Sequence, residues 1–376
     1  MRCFSRILGI LVVFIMGCVG DTSDAMKEGG LTADISPSLG FVTNGIASLG
    51  QLLTVQELRT QKEKEGELFI KDDLAIKNFS ILEEMSSSNK LQELSLPIFQ
   101  LMSPQGLTED MLSRKNILGI PDSVELTNRD VFIEARHESK QLRINTINGT
   151  EFYKDRNLFH KGAGQTIVLA KNKYLELAQK HLKQMFPENE KDGVLLTPYK
   201  IRYYKNAVRD ETGETNETIY QVAVSFNSTF EGLPVIGAGS KVAIHMTPAG
   251  DLVSYESTVR NLEKTGHVLG SKLLSPQKAK IQIEKRLTDR GIDVSHLILA
   301  RAEFGYLRLG RNSVQKHAVP HYAFFYRPKD GVIDKQRVEV IPAVTDSKIL
   351  ELIEADLDDE RHRKHRITKH TTNNDR

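Results

Sequence analysis

The chain has 376 residues, a hydrophobic fraction of 39% and a formal net charge of +2 at pH 7. That length suits about two to three domains with real cores. The near balance of 51 Lys and Arg against 49 Asp and Glu excludes a global attraction to polyanions, so no nucleic-acid partner is expected. Both cysteines, Cys3 and Cys18, lie within the first twenty residues, so a chain processed after them has no disulfide and no thiol nucleophile.

Residues 1–20 read as a signal peptide. Arg2 and Arg6 precede an apolar run from Ile7 to Met16, and small residues follow. The run is too short for a comfortable membrane span. Ile15-Met16-Gly17-Cys18 resembles a bacterial lipobox, which implies acylation of Cys18; cleavage after Gly20 is the alternative. The expected location is extracytoplasmic: secreted, or anchored at a bacterial cell envelope, with the N-terminal lipid as the only membrane contact. Residues 21–128 are expected to form a linker and a mainly helical or irregular region, with a capping box at Thr54-Val-Gln-Glu57. Asn78, Asn148, Asn216 and Asn227 stand in Asn-x-Ser/Thr triplets, which arise often by chance.

Residues 129–265 are expected to form a first α+β module. Val131–Glu134 and Gln141–Asn145 read as strands around a polar turn. Leu175, Ala178, Leu182 and Met185 recur at helical spacing, and Pro187 marks that helix's end. The stretch "IYQVAVSF" then alternates as a strand. Residues 266–346 repeat the order. Ser275-Pro276 opens a helix, Gly291 closes it, and strands are expected at Leu297–Ala302, around Gly305–Leu309, at Tyr322–Tyr326 and at Val338–Ile341. Residues 347–376 read as a charged helix and tail, acidic at Asp358-Asp359-Glu360 and basic from Arg361 to His370.

"EGLPVIGAGSKVAIH", residues 231–245, carries two glycines at dinucleotide-loop spacing, Gly237 and Gly239. A pyrophosphate loop needs a helix directly behind them. Here Val242, Ile244 and Met246 alternate with Lys241, Ala243 and His245, which is strand period. The nucleotide reading fails, no cofactor is expected, and the glycines are read as turn and bulge positions.

From Val222 to Arg260 the chain resembles the PepSY modules and the related propeptide domains of thermolysin-like and fungalysin-like metalloproteases. Gly232, Leu233, Pro234, Val235 and Gly237 carry the likeness, with Gly239 beside them, and "LSPQKAKIQIEKRL" and "HAVPHYAFFYR" extend it to roughly residues 170–345. The resemblance implies an α+β fold of two helix-on-antiparallel-sheet modules, PepSY/cystatin-like. It also implies a non-catalytic role as peptidase inhibitor or folding assistant, with an exported peptidase or peptide segment as partner. Those motif residues would be structural.

No His-Glu-x-x-His occurs. The nearest text, His137-Glu138, is followed at the second His position by Gln141, so no zinc protease and no metal site is expected. His317 and His321 have metal-like spacing, but Pro320 argues against a helix that would align them. Asp72-Asp73 and Asp358-Asp359 read as solvent-facing pairs, and no Gly-x-Ser-x-Gly elbow exists. The expectation is an exported binding protein that offers a sheet edge to a peptide. The alternatives are a hydrolase assembled from separate segments and a passive envelope lipoprotein scaffold.

Overall fold

The computed structural model describes residues 71–103, 106–129, 131–161, 168–186, 194–209, 215–310, 313–329 and 336–359. Helices run over Lys71–Ser87 (α1), Leu107–Ile117 (α2), Arg156–Lys161 (α3), Lys171–Met185 (α4), Pro276–Asp289 (α5) and residues 347–359 (α6). The strands are β1 Ser95–Leu101, β2 Thr127–Arg129, β3 Phe132–His137, β4 Lys140–Asn145, β5 Glu151–Asp155, β6 Val194–Arg209, β7 Thr215–Phe230, β8 Leu233–Gly237, β9 Lys241–Met246, β10 Leu252–Ser257, β11 Leu262–Leu269, β12 Leu297–Arg308, β13 His317–Ala318, β14 Pro320–Pro328 and β15 Arg337–Pro342.

Twelve strands make one mixed sheet in the order β15-β14-β12-β8-β7-β9-β10-β5-β4-β3-β2, with β6 as a further partner of β7; β11-β1-β13 form a small second sheet. This overturns the expected pair of helix-on-antiparallel-sheet modules. The protein is sheet-dominated, and its large sheet runs through the boundary drawn at residue 265. The reason lies in β8. It leaves β7 after two residue pairs and runs parallel to β12, with Val235, Ile236 and Gly237 opposite Tyr306, Leu307 and Arg308. Two runs of antiparallel strands thereby share one ladder.

From Lys71 onward, the segment expected to be a linker and a mainly helical or irregular region holds helices α1 and α2 and also strand β1. β1 pairs along its whole length with β11 and at Phe99 and Gln100 with β13. Helix α1 gives Phe79, Leu82 and Met85 to the larger core and Ala75 to a smaller cluster with Ile236 and Leu307. The two strands expected at Leu297–Ala302 and Gly305–Leu309 are one strand, β12, with a bulge between Leu299 and Arg301.

Two cores sit under the large sheet. Tyr174, Ala178, Leu182 and Met185 make the buried stripe of α4 and pack with Val222, Val224, Phe226, Val242, Ile244 and Met246. On α5, Ala279, Ile283 and Leu287 pack with Tyr322, Phe324 and Ile341. Ser275 caps α5 by accepting the Lys278 amide at 3.3 Å, and Pro276 holds its first position. Each fully buried Val, Leu, Ile, Met or Phe side chain in these cores stabilises by about 1.5–3 kcal/mol.

The seam between β8 and β12 explains the glycines. β7 turns into β8 through Glu231 and Gly232, both left-handed at φ 44° and 85°, which matches a two-residue I′ hairpin. After Pro234 the chain swings to β12 and returns beside β7 at Lys241, opposite Asn227. On that excursion a Cβ at Gly237 would lie 2.5 Å from the Arg308 carbonyl oxygen, one at Gly239 2.1 Å from that of Leu309, and one at Gly305 2.2 Å from that of Pro234. Backbone meets backbone here, and nothing flexible can yield.

Gly239→Ala and Gly305→Ala should each lower stability in urea by roughly 2–4 kcal/mol, from overpacking and backbone displacement. Gly291→Ala, at φ 76° with open space around it, should cost only about 1–2 kcal/mol of left-handed strain. Equal midpoints for all three variants would remove the close-approach explanation.

Candidate functional site

The residues that carry the PepSY-like likeness lie at the seam. Leu233, Pro234 and Val235 are buried there, and Gly237 and Gly239 face β12 backbone. Behind Gly239 comes strand β9 and no helix. Beside the seam, Arg308 is 4% exposed and, among the described residues, has no carboxylate in contact. Its Nε donates to Ser240 Oγ at 3.1 Å and its Nη1 to Gln315 Oε1 at 2.9 Å. Gln315 donates in turn to the Leu307 and His317 carbonyls, and its own carbonyl accepts from Arg260, whose Nη2 reaches the Leu101 and Met102 carbonyls. Burial first, and then the nearby Arg260 charge, lower the Arg308 pKa, while Asp356 works the other way. No side chain in this network is placed as a nucleophile or base, and its bonds tie β1, β12 and β13 together.

A cleft of about 240 Å³ is lined by Lys140, Tyr153, Asp155, His181 and Met185 among others. Its polar groups are engaged in structure. Lys140 donates to the Leu118 and Gly119 carbonyls at the end of α2, and Ser139 Oγ donates to Asp155 at 2.7 Å. Burial lowers the His181 pKa, and the Gly250 backbone bonds to the ring. A catalytic triad needs the imidazole between hydroxyl and carboxylate, whereas here the hydroxyl bonds to the carboxylate directly. Nearby, Glu151 is buried with Arg114 at 3.3 Å and the Tyr255 hydroxyl at 2.9 Å. Burial raises its pKa, against the pull of Arg114. That cluster joins α2 to β5 and β10.

Other residues singled out in the sequence are dispersed. His137 ends β3, and Glu138 forms the turn to β4 at φ 49°. The Asp356 carboxylate lies 3.3 Å from His317 Nδ1 and accepts the amides of Lys316 and His317. His321 is buried alone and donates from Nδ1 to the Val319 carbonyl at 2.8 Å. No group of three metal-ligating side chains occurs among the described residues. Asp359 pairs with Lys316 at 2.6 Å. Asn78, Asn148 and Asn227 are buried. Asp72 and Asp73 belong to α1. Cys18 and the basic run after residue 360 lie outside the described residues, as does Asn216 as a side chain.

The open feature is an edge. β6 pairs with β7 from Val194 to Arg209, and among the described residues no strand pairs with its other side. The sheet's terminal strands are shorter: β2 has 3 residues and β15 has 6. The β6–β7 ladder carries an extra residue at Tyr199 on β6 and another at Tyr220 on β7. Lys200 and Arg202 stand opposite Ser225 and Ala223, whereas Ile201 packs into the core below. Tyr203, 39% exposed, meets Tyr174 of α4 edge-on at 6.2 Å. On the other face Tyr204 stacks on His245 at 5.9 Å. Burial and the Arg202 charge hold the His245 pKa down. A missing neighbour on one side of a strand has no local signature in the sequence.

No protein-family model matches this chain, and no curated protein matches it. A solved structure described as an uncharacterized protein from Eubacterium rectale ATCC 33656 is similar at a TM-score of 0.38 and 12% identity, covering 67% of this chain and 85% of that one. A likeness at that level carries no argument about fold or function.

His321 makes a pH prediction. Burial lowers its pKa from 6.5 to about 4, so between those values the unfolded chain binds more protons than the folded one. Its contribution is complete above pH 6.5 and is lost as pH falls toward 4, by about 3 kcal/mol in all. His321→Gln should flatten the stability–pH curve over that window, as measured by urea titrations at several pH values; an unchanged slope would refute it.

Proposed function

We propose that this is a non-catalytic binding protein that takes up an extended peptide segment as an added strand on β6. The observation that carries the reading is the second edge of β6, a 16-residue strand that, among the described residues, is paired on one side only. At about 3.3 Å per residue the edge spans roughly 50 Å of extended backbone. Such an edge gives affinity through backbone hydrogen bonds and selects through alternate side chains. Proteins commonly protect an exposed edge with Pro, Lys and bulges, and β6 has all three. Those devices discourage indiscriminate aggregation and leave room for a selected occupant.

The PepSY-like likeness adds a setting. A partner that is an exported peptidase, or a segment of one, would be restrained by having its chain held on this edge. Extracytoplasmic placement, with or without a lipid on Cys18, belongs to the same proposal. The cleft by His181 favours catalysis less, because Ser139 spends its hydroxyl on Asp155. A passive scaffold would leave the edge without an occupant.

Hydrogen exchange by NMR tests the reading. A panel of extended peptides is titrated into the folded protein. Binding should protect alternate amides between residues 194 and 205, those that point away from β7. Failure of every peptide to bind, or protection confined to the cleft, would overturn the proposal.

A further inference from the structure

We infer that the segment taken up on β6 is acidic, with carboxylate side chains alternating with apolar ones. This rests on the β6 reading and adds the chemistry of its occupant. Side chains of a strand alternate between faces, so an added strand sets one parity beside Lys200 and Arg202 and the other beside Ile201 and Tyr203. Arg202 is exposed, and the sheet face it shares is rich in cations. Along the paired rows that face carries Arg136, Arg143 and Lys154 as well as Lys200 and Arg202.

Two carboxylates, Glu134 and Glu256, stand on the same face. Glu134, 2% exposed, is already surrounded by Arg129, Arg136 and Arg143. Burial works to raise its pKa, but the bonds from Arg136 and Gln141 and the Arg143 charge bring it below the usual value, so it stays ionised. That cluster lies on β2 to β4, with β7, β9, β10 and β5 between it and β6, so the charge that acts at the edge is that of β6 itself. An incoming carboxylate beside Arg202 meets the attraction of that exposed guanidinium, and an incoming Lys meets its repulsion.

The opposite face supplies apolar contact. Ile201 is half-buried against the α4 core, and Tyr203 offers exposed ring surface next to it. Residues of the second parity on the incoming strand would cover that ring. Self-pairing through β6 is disfavoured by the same side chains. A second copy would bring its own Lys200 and Arg202 against these, and like charges on neighbouring strands destabilise.

The test uses the full folded protein and three synthetic peptides of equal length. One alternates Glu with Val and Tyr, one replaces each Glu by Lys, and one scrambles the first. Affinity is read by fluorescence anisotropy at low and high salt, and the site by hydrogen exchange over β6. The alternating acidic peptide should bind at least roughly tenfold more tightly than the other two, and less so in high salt. The Lys200→Gln/Arg202→Gln variant should lose most of that preference, and Lys200→Glu/Arg202→Glu should reverse it, provided both unfold at the wild-type midpoint; the first variant keeps the test open if the second misfolds. Equal binding of acidic and basic peptides with β6 protected would overturn this inference alone. Concentration-dependent dimerisation protecting β6 would overturn it in favour of a second copy. Absence of binding and of β6 protection for all three would overturn the edge proposal itself.

Discussion

Where β8 crosses to β12, two backbones run side by side with no room for a Cβ at Gly237, Gly239 or Gly305. The consequences spread outward from that contact. The crossing joins β15, β14 and β12 to the strands from β2 to β10, and it does so through three parallel residue pairs. Because Pro234 and Lys241 both stay beside β7, the excursion also fixes where β7 sits. β6 hangs on β7 alone, so the position of the open edge is set by the seam at one remove.

Polar groups reinforce that seam at some cost. An arginine buried without a carboxylate partner is expensive unless its hydrogen bonds are met. Ser240, itself left-handed at φ 53°, accepts from Arg308, and Gln315 accepts from it on the other side. The Ser240 carbonyl then accepts from Ser228 Oγ at 2.7 Å, which carries the network into β7. Removing any one member would strand a buried donor or acceptor, which costs more than the bond itself contributes. The network is thus a device for holding one arrangement of the two strand sets, and it leaves the surface chemistry to the edge beyond it.

Local order was legible in the sequence, and long-range order was not. Of the expected stripe Leu175-Ala178-Leu182-Met185, the last three are buried and Tyr174 takes the place expected for Leu175; this stripe, the Ser275-Pro276 start and the alternation of Val242, Ile244 and Met246 follow from side-chain period and capping chemistry, which act over a few residues. β1 escaped because "SLPIFQL" is a short apolar run containing a proline, and its partners β11 and β13 lie far along the chain. The parallel pairing of residues 235–237 with 306–308 has no local pattern at all. That is why a single sheet was read as two modules. Gly237 and Gly239 read as turn and bulge positions in the sequence, and only the carbonyls of Arg308 and Leu309 beside them reveal the close approach. The open side of β6 is an absence of a neighbour, and the polar cleft by His181 was assembled from segments with no motif between them.

Native-state hydrogen exchange across a denaturant series tests the seam most directly. If the crossing makes the molecule one cooperative body, amides of β8 and β12 should exchange only through global unfolding. Strands β3 to β5 on one side and β14 on the other should then merge onto the same isotherm. Two separate isotherms, with one set of strands opening well below the free energy of the other while the seam amides exchange early, would contradict the account.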